Sequence, residues 1–131
     1  MIEPLTKILL VEDEEDIRII TKMSLEDIGK MTVQSCSRAK EALACADSFQ
    51  PQLFLFDVMM PEMDGPTLLK ELRKRPQFAK TPVIFLTAKS QTQEVDDYIK
   101  LGALDVIIKP FDPITLSGQI QEKWKNFTAE S

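Results

Sequence analysis

Four stretches of apolar residues in this chain each end in a side chain that can do chemistry. Ile8-Leu9-Leu10-Val11 leads into Glu12-Asp13, and Leu53-Phe54-Leu55-Phe56 leads into Asp57. Val83-Ile84-Phe85-Leu86 ends in Thr87, and Val106-Ile107-Ile108 ends in Lys109. Runs that are apolar at every position suit strands covered on both faces, and open α/β sheets bind ligands at the carboxyl ends of such strands. If the four runs share one parallel sheet, Glu12, Asp13, Asp57, Thr87 and Lys109 all lie at the same edge. Three carboxylates that close would repel one another and raise their own pKa values. A divalent cation resolves that conflict, and hard oxygen ligands with few protein contacts suit Mg²⁺, which keeps several of its waters. Asp57 is then the natural nucleophile toward a phosphoryl group, since a carboxylate needs no base to form an acyl phosphate. Lys109 offers a compact positive charge to phosphoryl oxygens, and the Thr87 hydroxyl can donate a hydrogen bond to them.

Taken singly, each residue has an ordinary explanation. Glu12-Asp13 ahead of Glu14-Glu15 suits an acidic helix start, Thr87 a strand end, and Lys109 a solvated lysine before a turn. Asp57 at the tip of an apolar run is the hardest to explain that way. On four separate strands at one edge, coincidence explains them poorly.

The elements that must position these groups alternate along the chain. After the first strand, Ile17, Ile20, Thr21, Ser24, Leu25 and Ile28 recur at helical spacing, with Gly29 as a stop. Thr32 to Cys36 alternates weakly and reads as an edge strand. Ala39, Ala42, Leu43 and Ala46 form a small-residue helical stripe before Pro51. A helix opens at Gly65-Pro66 with Leu68, Leu69 and Leu72 on its apolar face, and Pro76 ends it. The fourth strand spans 82–87, and a polar helix follows over about 91–101 with Val95, Ile99 and Tyr98 on its apolar side, closed by Gly102. Strand five spans 105–109. The last helix takes Asp112 as N-cap and Pro113 as first residue, with Ile114, Ile120, Trp124 and Phe127 as its stripe. Five such βα units predict an α/β fold, a parallel sheet with right-handed crossovers and helices on both faces.

Composition sets the outer limits. The chain has 131 residues, 44% apolar and 28% charged, with a formal net charge of −5. One domain over 1–131 with its core at about 7–127 is expected, leaving no room for a second. The acidic balance offers no basic field for nucleic-acid phosphates, and the basic stretch from Lys70 to Arg75 reads as a solvated helix end. No run approaches the length of a membrane span, and the amino terminus lacks the regions of a signal peptide. Cys36 and Cys45 fit no metal spacing and there is no histidine, so reduced thiols in a cytoplasmic protein are expected. The missing histidine also removes Ser-His and Cys-His nucleophiles in their usual forms.

Val11-Glu12-Asp13, Asp57-Val58-Met59-Met60-Pro61-Glu62-Met63-Asp64-Gly65, Leu86-Thr87-Ala88 and Lys109-Pro110-Phe111 together resemble the receiver domain of bacterial two-component response regulators. The likeness runs from about Lys7 to Phe127 and its joint spacing is specific. It implies a flavodoxin-like five-stranded sheet in the order 2-1-3-4-5, and a phosphoryl group passed to Asp57 from a histidine kinase or phosphotransfer protein. It also implies Mg²⁺ held by Glu12, Asp13, Asp57 and the backbone carbonyl of Met59, with Thr87 and Lys109 on the phosphoryl group and a cis Lys109–Pro110 bond. A domain of this kind would catalyse only its own phosphorylation and dephosphorylation. It would signal to a downstream protein, or to a second copy of itself, through the face of the fourth helix, fifth strand and fifth helix. Neither nucleic acid nor membrane is expected as a direct partner.

Two features depart from that family's pattern. Val106 occupies the place of an aromatic switch residue near the start of strand five, and a β-branched side chain is stiff and short. Transmission would then be muted, or would run through the backbone around Ala88 after Thr87. Met59 and Lys89, two past Asp57 and two past Thr87, border the phosphoryl site. An apolar Met59 cannot orient an attacking water, which predicts slow hydrolysis of the acyl phosphate. Two other functions compete. A metal-dependent phosphohydrolase working through an aspartyl-phosphate needs a second acid where Met59 stands. An inert protein-binding pseudo-receiver sits badly with the intact set of Glu12, Asp13, Asp57, Thr87 and Lys109.

Overall fold

The computed structural model describes residues 3–88 and 92–130. Its first strand, β1 (Lys7–Val11), is followed by α1 (Glu15–Met23), which passes directly into a π-helical turn at Ser24–Ile28. Next come β2 (Thr32–Cys36), α2 (Ala39–Phe49), β3 (Leu53–Asp57) and α3 (Gly65–Arg73). A 3₁₀ turn at Pro76–Phe78 leads to β4 (Val83–Thr87), α4 (Thr92–Lys100), β5 (Asp105–Ile108) and α5 (Leu116–Glu130). All pairings are parallel and the sheet order is β2-β1-β3-β4-β5, as expected.

Side-chain alternation divides the core in two. Ile8, Leu10, Leu53, Leu55, Ile84, Leu86 and Ile107 face one way, against Leu25 of the π-turn and Leu116, Ile120 and Trp124 of α5. Leu9, Val11, Phe54, Phe56, Val83 and Phe85 face the other way, against Ala39, Ala42 and Ala46 of α2 and Leu68 and Leu72 of α3. Small alanines let α2 sit close to the sheet. Phe54 stacks on Phe56 at 5.0 Å and meets the Phe78 edge at 5.5 Å, so the 3₁₀ turn helps close this layer. Each fully buried Phe or Leu contributes about 1.5–3 kcal/mol of burial free energy, which fixes the central strands and hence their ends. β2 lies at the sheet edge with alternating exposure, the weak strand foreseen from its sequence.

Several expected details are corrected. Of the stripe assigned to the first helix, Thr21, Ser24 and Leu25 are buried, but Ile20 is 43% and Ile28 50% exposed. The π-turn is the cause: the Gly29 amide bonds to Ser24 O at 3.2 Å, a five-residue step that rotates Ile28 off the core face. Gly29 is needed for space rather than for a left-handed stop. Its φ is −83°, Lys30 takes φ +58° instead, and a Cβ on Gly29 would lie 2.8 Å from Ser117 Cβ. Ile99 and Ile114 are exposed, Ile114 at 71%. Asp112 caps a turn, accepting from the Ile114 amide at 2.9 Å, and α5 starts only at Leu116, which takes the core position meant for Ile114. Nor is the Lys70–Arg75 stretch wholly solvated, because Arg73 donates to Phe78 O at 2.8 Å and also to Thr81 O, binding up the turn before β4. Cys36 and Cys45 are free thiols; burial first, then the neighbouring Cys45, pushes Cys36 up to about 12.

Candidate functional site

Parallel strands of matched register deliver their last residues to one edge. Asp57 closes β3 opposite Leu86, Glu12 and Asp13 follow Val11, Thr87 closes β4, and Lys109 follows Ile108. Backbone hydrogen bonds extend the ladder into the loops. The Lys109 amide donates to Thr87 O at 2.8 Å, Val58 N to Leu86 O at 2.9 Å, and Glu12 N to Cys36 O at 3.1 Å. The site residues are therefore held by the sheet rather than by their own loops.

Four of the five side chains foreseen from the sequence, those of Glu12, Asp13, Asp57 and Lys109, lie together, and Thr87 is buried at the neighbouring strand end. Ligand oxygens of Glu12, Asp13 and Asp57 all lie within 4.8 Å of one another. Glu12, Asp57 and Thr87 are buried, and Asp13 is half-buried. Lys109 reaches in to Glu12 Oε1 at 2.7 Å and Asp57 Oδ1 at 3.1 Å. Among the described residues, Lys109 is thus a cation set in a cluster of three acids and bonded to two of them. Burial first, then hydrogen bonds with Glu12 and Asp13, pushes the Asp57 carboxyl up to about 8, with Lys109 opposing. For Lys109, burial pulls the pKa down, but the bonds to Glu12 and Asp57 outweigh it and the net direction is up. Asp13 Oδ1 is buried without a hydrogen-bond partner. A buried carboxylate oxygen left unpaired is costly, and a cation supplies the missing contact. The donor set is all oxygen and strongly acidic, which fits a hard divalent ion such as Mg²⁺.

The loop after Asp57 is shaped to leave this edge open. Val58 and Met60 are buried, whereas the Met59 side chain is 62% exposed. The Gly65 amide donates to Val58 O at 2.9 Å, and a Cβ at Gly65 would collide with Asp57 O. Only glycine permits that close approach of α3 to the strand end. Asp64 then caps α3, its Oδ1 accepting from Thr67 N at 2.8 Å. The Lys109–Pro110 bond is cis. Ala88 is exposed beside Thr87, Val106 is half-buried on β5, and Lys89 lies outside the described residues.

Two features of the site go beyond what the sequence reading foresees. Arg18 of α1 donates to the Glu12 carbonyl at 2.9 Å and so braces the strand end from the helix side. Its distance of six residues from Glu12 follows no motif. Beside Lys109 there is also an apolar groove of about 530 Å³, lined by Ile17, Ile20, Ala88, Pro110, Phe111 and Pro113. The exposed isoleucines of α1 pointed to it, but helical periodicity assigned them to the core.

Comparison with known proteins agrees with this fold. The family model described as "Response regulator receiver domain" matches residues 8–121. Response regulator Rre1 of Synechocystis is 36% identical over 121 residues, covering 92% of this chain and 52% of that protein. A 14.6 kDa protein of the sodA1 3′ region of Leptolyngbya boryana is 36% identical over 115 residues, 88% of this chain and 87% of its own. The crystal structure of the Vibrio cholerae chemotaxis protein CheY4 superimposes with a TM-score of 0.82 at 30% identity, covering 90% of this chain and 98% of that one. The chain spans about half the length of Rre1 but nearly all of the Leptolyngbya protein and of CheY4.

Proposed function

The chain belongs to the response regulator receiver domain family, the phosphoacceptors of two-component signalling, and from that premise we propose that Asp57 is the residue phosphorylated. The observation that carries the assignment is the buried cluster in which Asp57 shares Lys109 with Glu12 and lies within ligand reach of Asp13. In this reading Glu12, Asp13, Asp57 and the Met59 backbone carbonyl hold Mg²⁺, and residues 1–131 form a single receiver domain. When bound, the ion neutralises acid charge and draws electron density from the phosphoryl oxygens.

Asp57 must be ionised to attack. Its oxygen forms the new bond to phosphorus while the bond from phosphorus to the donor histidine nitrogen breaks, and the electron pair leaves on that nitrogen. Lys109 is already placed between Glu12 and Asp57, so its ammonium follows the growing negative charge without reorganising. Thr87, at the neighbouring strand end, donates to a phosphoryl oxygen. Chemistry ends there: the domain acts on itself and turns over no other substrate. Met59 offers no group to position water, so the acyl phosphate persists long for this family.

The donor is a histidine kinase or phosphotransfer protein that docks over the groove shared by α1 and the turn after Lys109. Continuity with the reacting edge supports this, because Ile17, Ile20 and Phe111 line a depression that Lys109 also lines. Output to a downstream protein or a second copy uses the α4-β5-α5 face. We place the protein in the cytoplasm, with neither nucleic acid nor membrane as direct partner. Among the described residues no helix is long and apolar enough to cross a membrane.

The test is incubation with acetyl phosphate and Mg²⁺, followed by intact mass over time. Wild type gains one phosphoryl group and loses it slowly; Asp57→Asn gains none, and Met59→Asn gains it but loses it faster. A wild type that gains no mass overturns the reading, and a Met59→Asn decay equal to wild type removes the role given to Met59.

A further inference from the structure

The only two cysteines of the chain, whose thiols take no part in the phosphoryl transfer proposed above, lie against each other. Cys36 is the last residue of β2 and Cys45 lies on α2, and their Sγ atoms are 3.7 Å apart. Only Ser37 and Arg38 separate the strand from the helix, so α2 folds back across the end of β2. On that helix Ala42 and Ala46 take the buried positions, and Cys45 sits beside them, half-buried, toward the strand end. Both thiols are free.

We propose that Cys36 and Cys45 close into an intrachain disulfide when the domain meets a small-molecule disulfide oxidant such as oxidised glutathione, a thiol input separate from Asp57. A disulfide needs sulfur atoms about 2.04 Å apart, so from 3.7 Å the two must approach by under 2 Å. Neither side chain is branched, and the pair has no competing thiol elsewhere in the chain.

Accessibility sets the order of events. Cys45 is half-buried and Cys36 buried, so Cys45 meets the oxidant first. Its thiolate attacks one sulfur of oxidised glutathione, breaking that sulfur–sulfur bond and releasing one glutathione thiolate. Cys36 then attacks the Cys45 sulfur of the mixed disulfide and releases the second glutathione. Two protein thiols are oxidised to one disulfide, one glutathione disulfide is reduced to two thiols, and the two thiol protons end on glutathione. The second step is the slower, because Cys36 reacts from inside the core.

The location gives the bond a consequence. The Cys36 carbonyl accepts the Glu12 amide at 3.1 Å, so the new bond fixes the backbone that carries a site carboxylate.

The full chain is incubated with oxidised glutathione, quenched in acid and weighed without reductant. Wild type is expected to lose the mass of two hydrogens, to regain them with dithiothreitol, and to yield a digest peptide joining Cys36 to Cys45. Cys36→Ser stops with one glutathionyl group attached at Cys45. A wild type that ends with a bound glutathionyl group, links to a second copy, or keeps two thiols open to alkylation after denaturation overturns the proposal. If Cys36→Ser does not fold, the wild-type mass and linked peptide decide alone.

Discussion

Asp57 is held in a contradiction. To act as a nucleophile it must be charged, yet burial and two acidic neighbours push its pKa from the ordinary 3.8 to about 8. A carboxyl that binds its proton more tightly folded than unfolded stabilises the fold while protonated. That contribution is fully present below about pH 4 and is lost as pH rises to about 8. Asp57→Asn cannot ionise and keeps two acids facing Lys109 rather than three. Its stability advantage over wild type should therefore grow between about pH 4 and pH 8 and level off above, reaching about 1–3 kcal/mol. Saturating Mg²⁺ should shrink that advantage, because a cation favours the ionised wild-type site. Urea unfolding of both proteins across this range, with and without Mg²⁺, measures it. An advantage that is flat, or that grows toward acid pH, contradicts the charge arrangement described above. The five chemical groups themselves were legible in the sequence, since an apolar run of three or four residues carries each to a strand end. Arg18 was not, because its bond to the Glu12 carbonyl depends on how α1 lies across the edge.

The helices show where local periodicity stops being informative. The α2 and α3 stripes follow the sequence because the faces they bury lie in one layer against the sheet. The first helix does not, because it answers to α5 as well. Ser24 Oγ donates to the Pro113 carbonyl and Gly29 packs at Ser117, and the π-turn satisfies both contacts. Ile20 is thereby freed from the core, and α5 begins too late for Ile114 to enter it. These apolar side chains flank the groove beside Lys109 or the turn that forms its wall. In the proposed reading a partner that delivers a phosphoryl group to Asp57 covers that ground, and burying an isoleucine there favours docking. Ile20→Glu should slow transfer from a purified phosphorylated histidine kinase by about tenfold, equivalent to roughly 1.4 kcal/mol. Phosphorylation by acetyl phosphate should stay within twofold, since a small donor needs no docking surface. Equal loss with both donors would mean a damaged site, and no loss with either would move the donor elsewhere.

For the whole molecule, the proposed function requires a group bound at the sheet edge to act on the α4-β5-α5 face. The strand order that gathers the site also sets this path: β4 carries Thr87 and pairs with β5, where Phe85 faces Val106 in register. On that side the Tyr98 ring of α4 packs on Phe85 at 5.4 Å. An aromatic group therefore stands beside Val106, Phe85 of the neighbouring strand, and the helix adds Tyr98 against its ring. Sequence reasoning located the missing aromatic but not its replacement, since Tyr98 approaches Phe85 only once α4 is docked. Val106 has too little reach to swing between two positions, so in the proposed reading a transmitted signal passes through the backbone beyond Thr87 and shifts α4 with its tyrosine. With Mg²⁺ and beryllofluoride, NMR should show shifted amides at Ala88 and along α4 and a changed Tyr98 ring environment. The Val106 methyl groups should keep a single rotamer, and Val106→Ala should leave the α4 response in place. A response lost in Val106→Ala would return the switch to the strand. Shifts confined to the neighbourhood of Asp57 would mean that phosphorylation is not transmitted to this face at all.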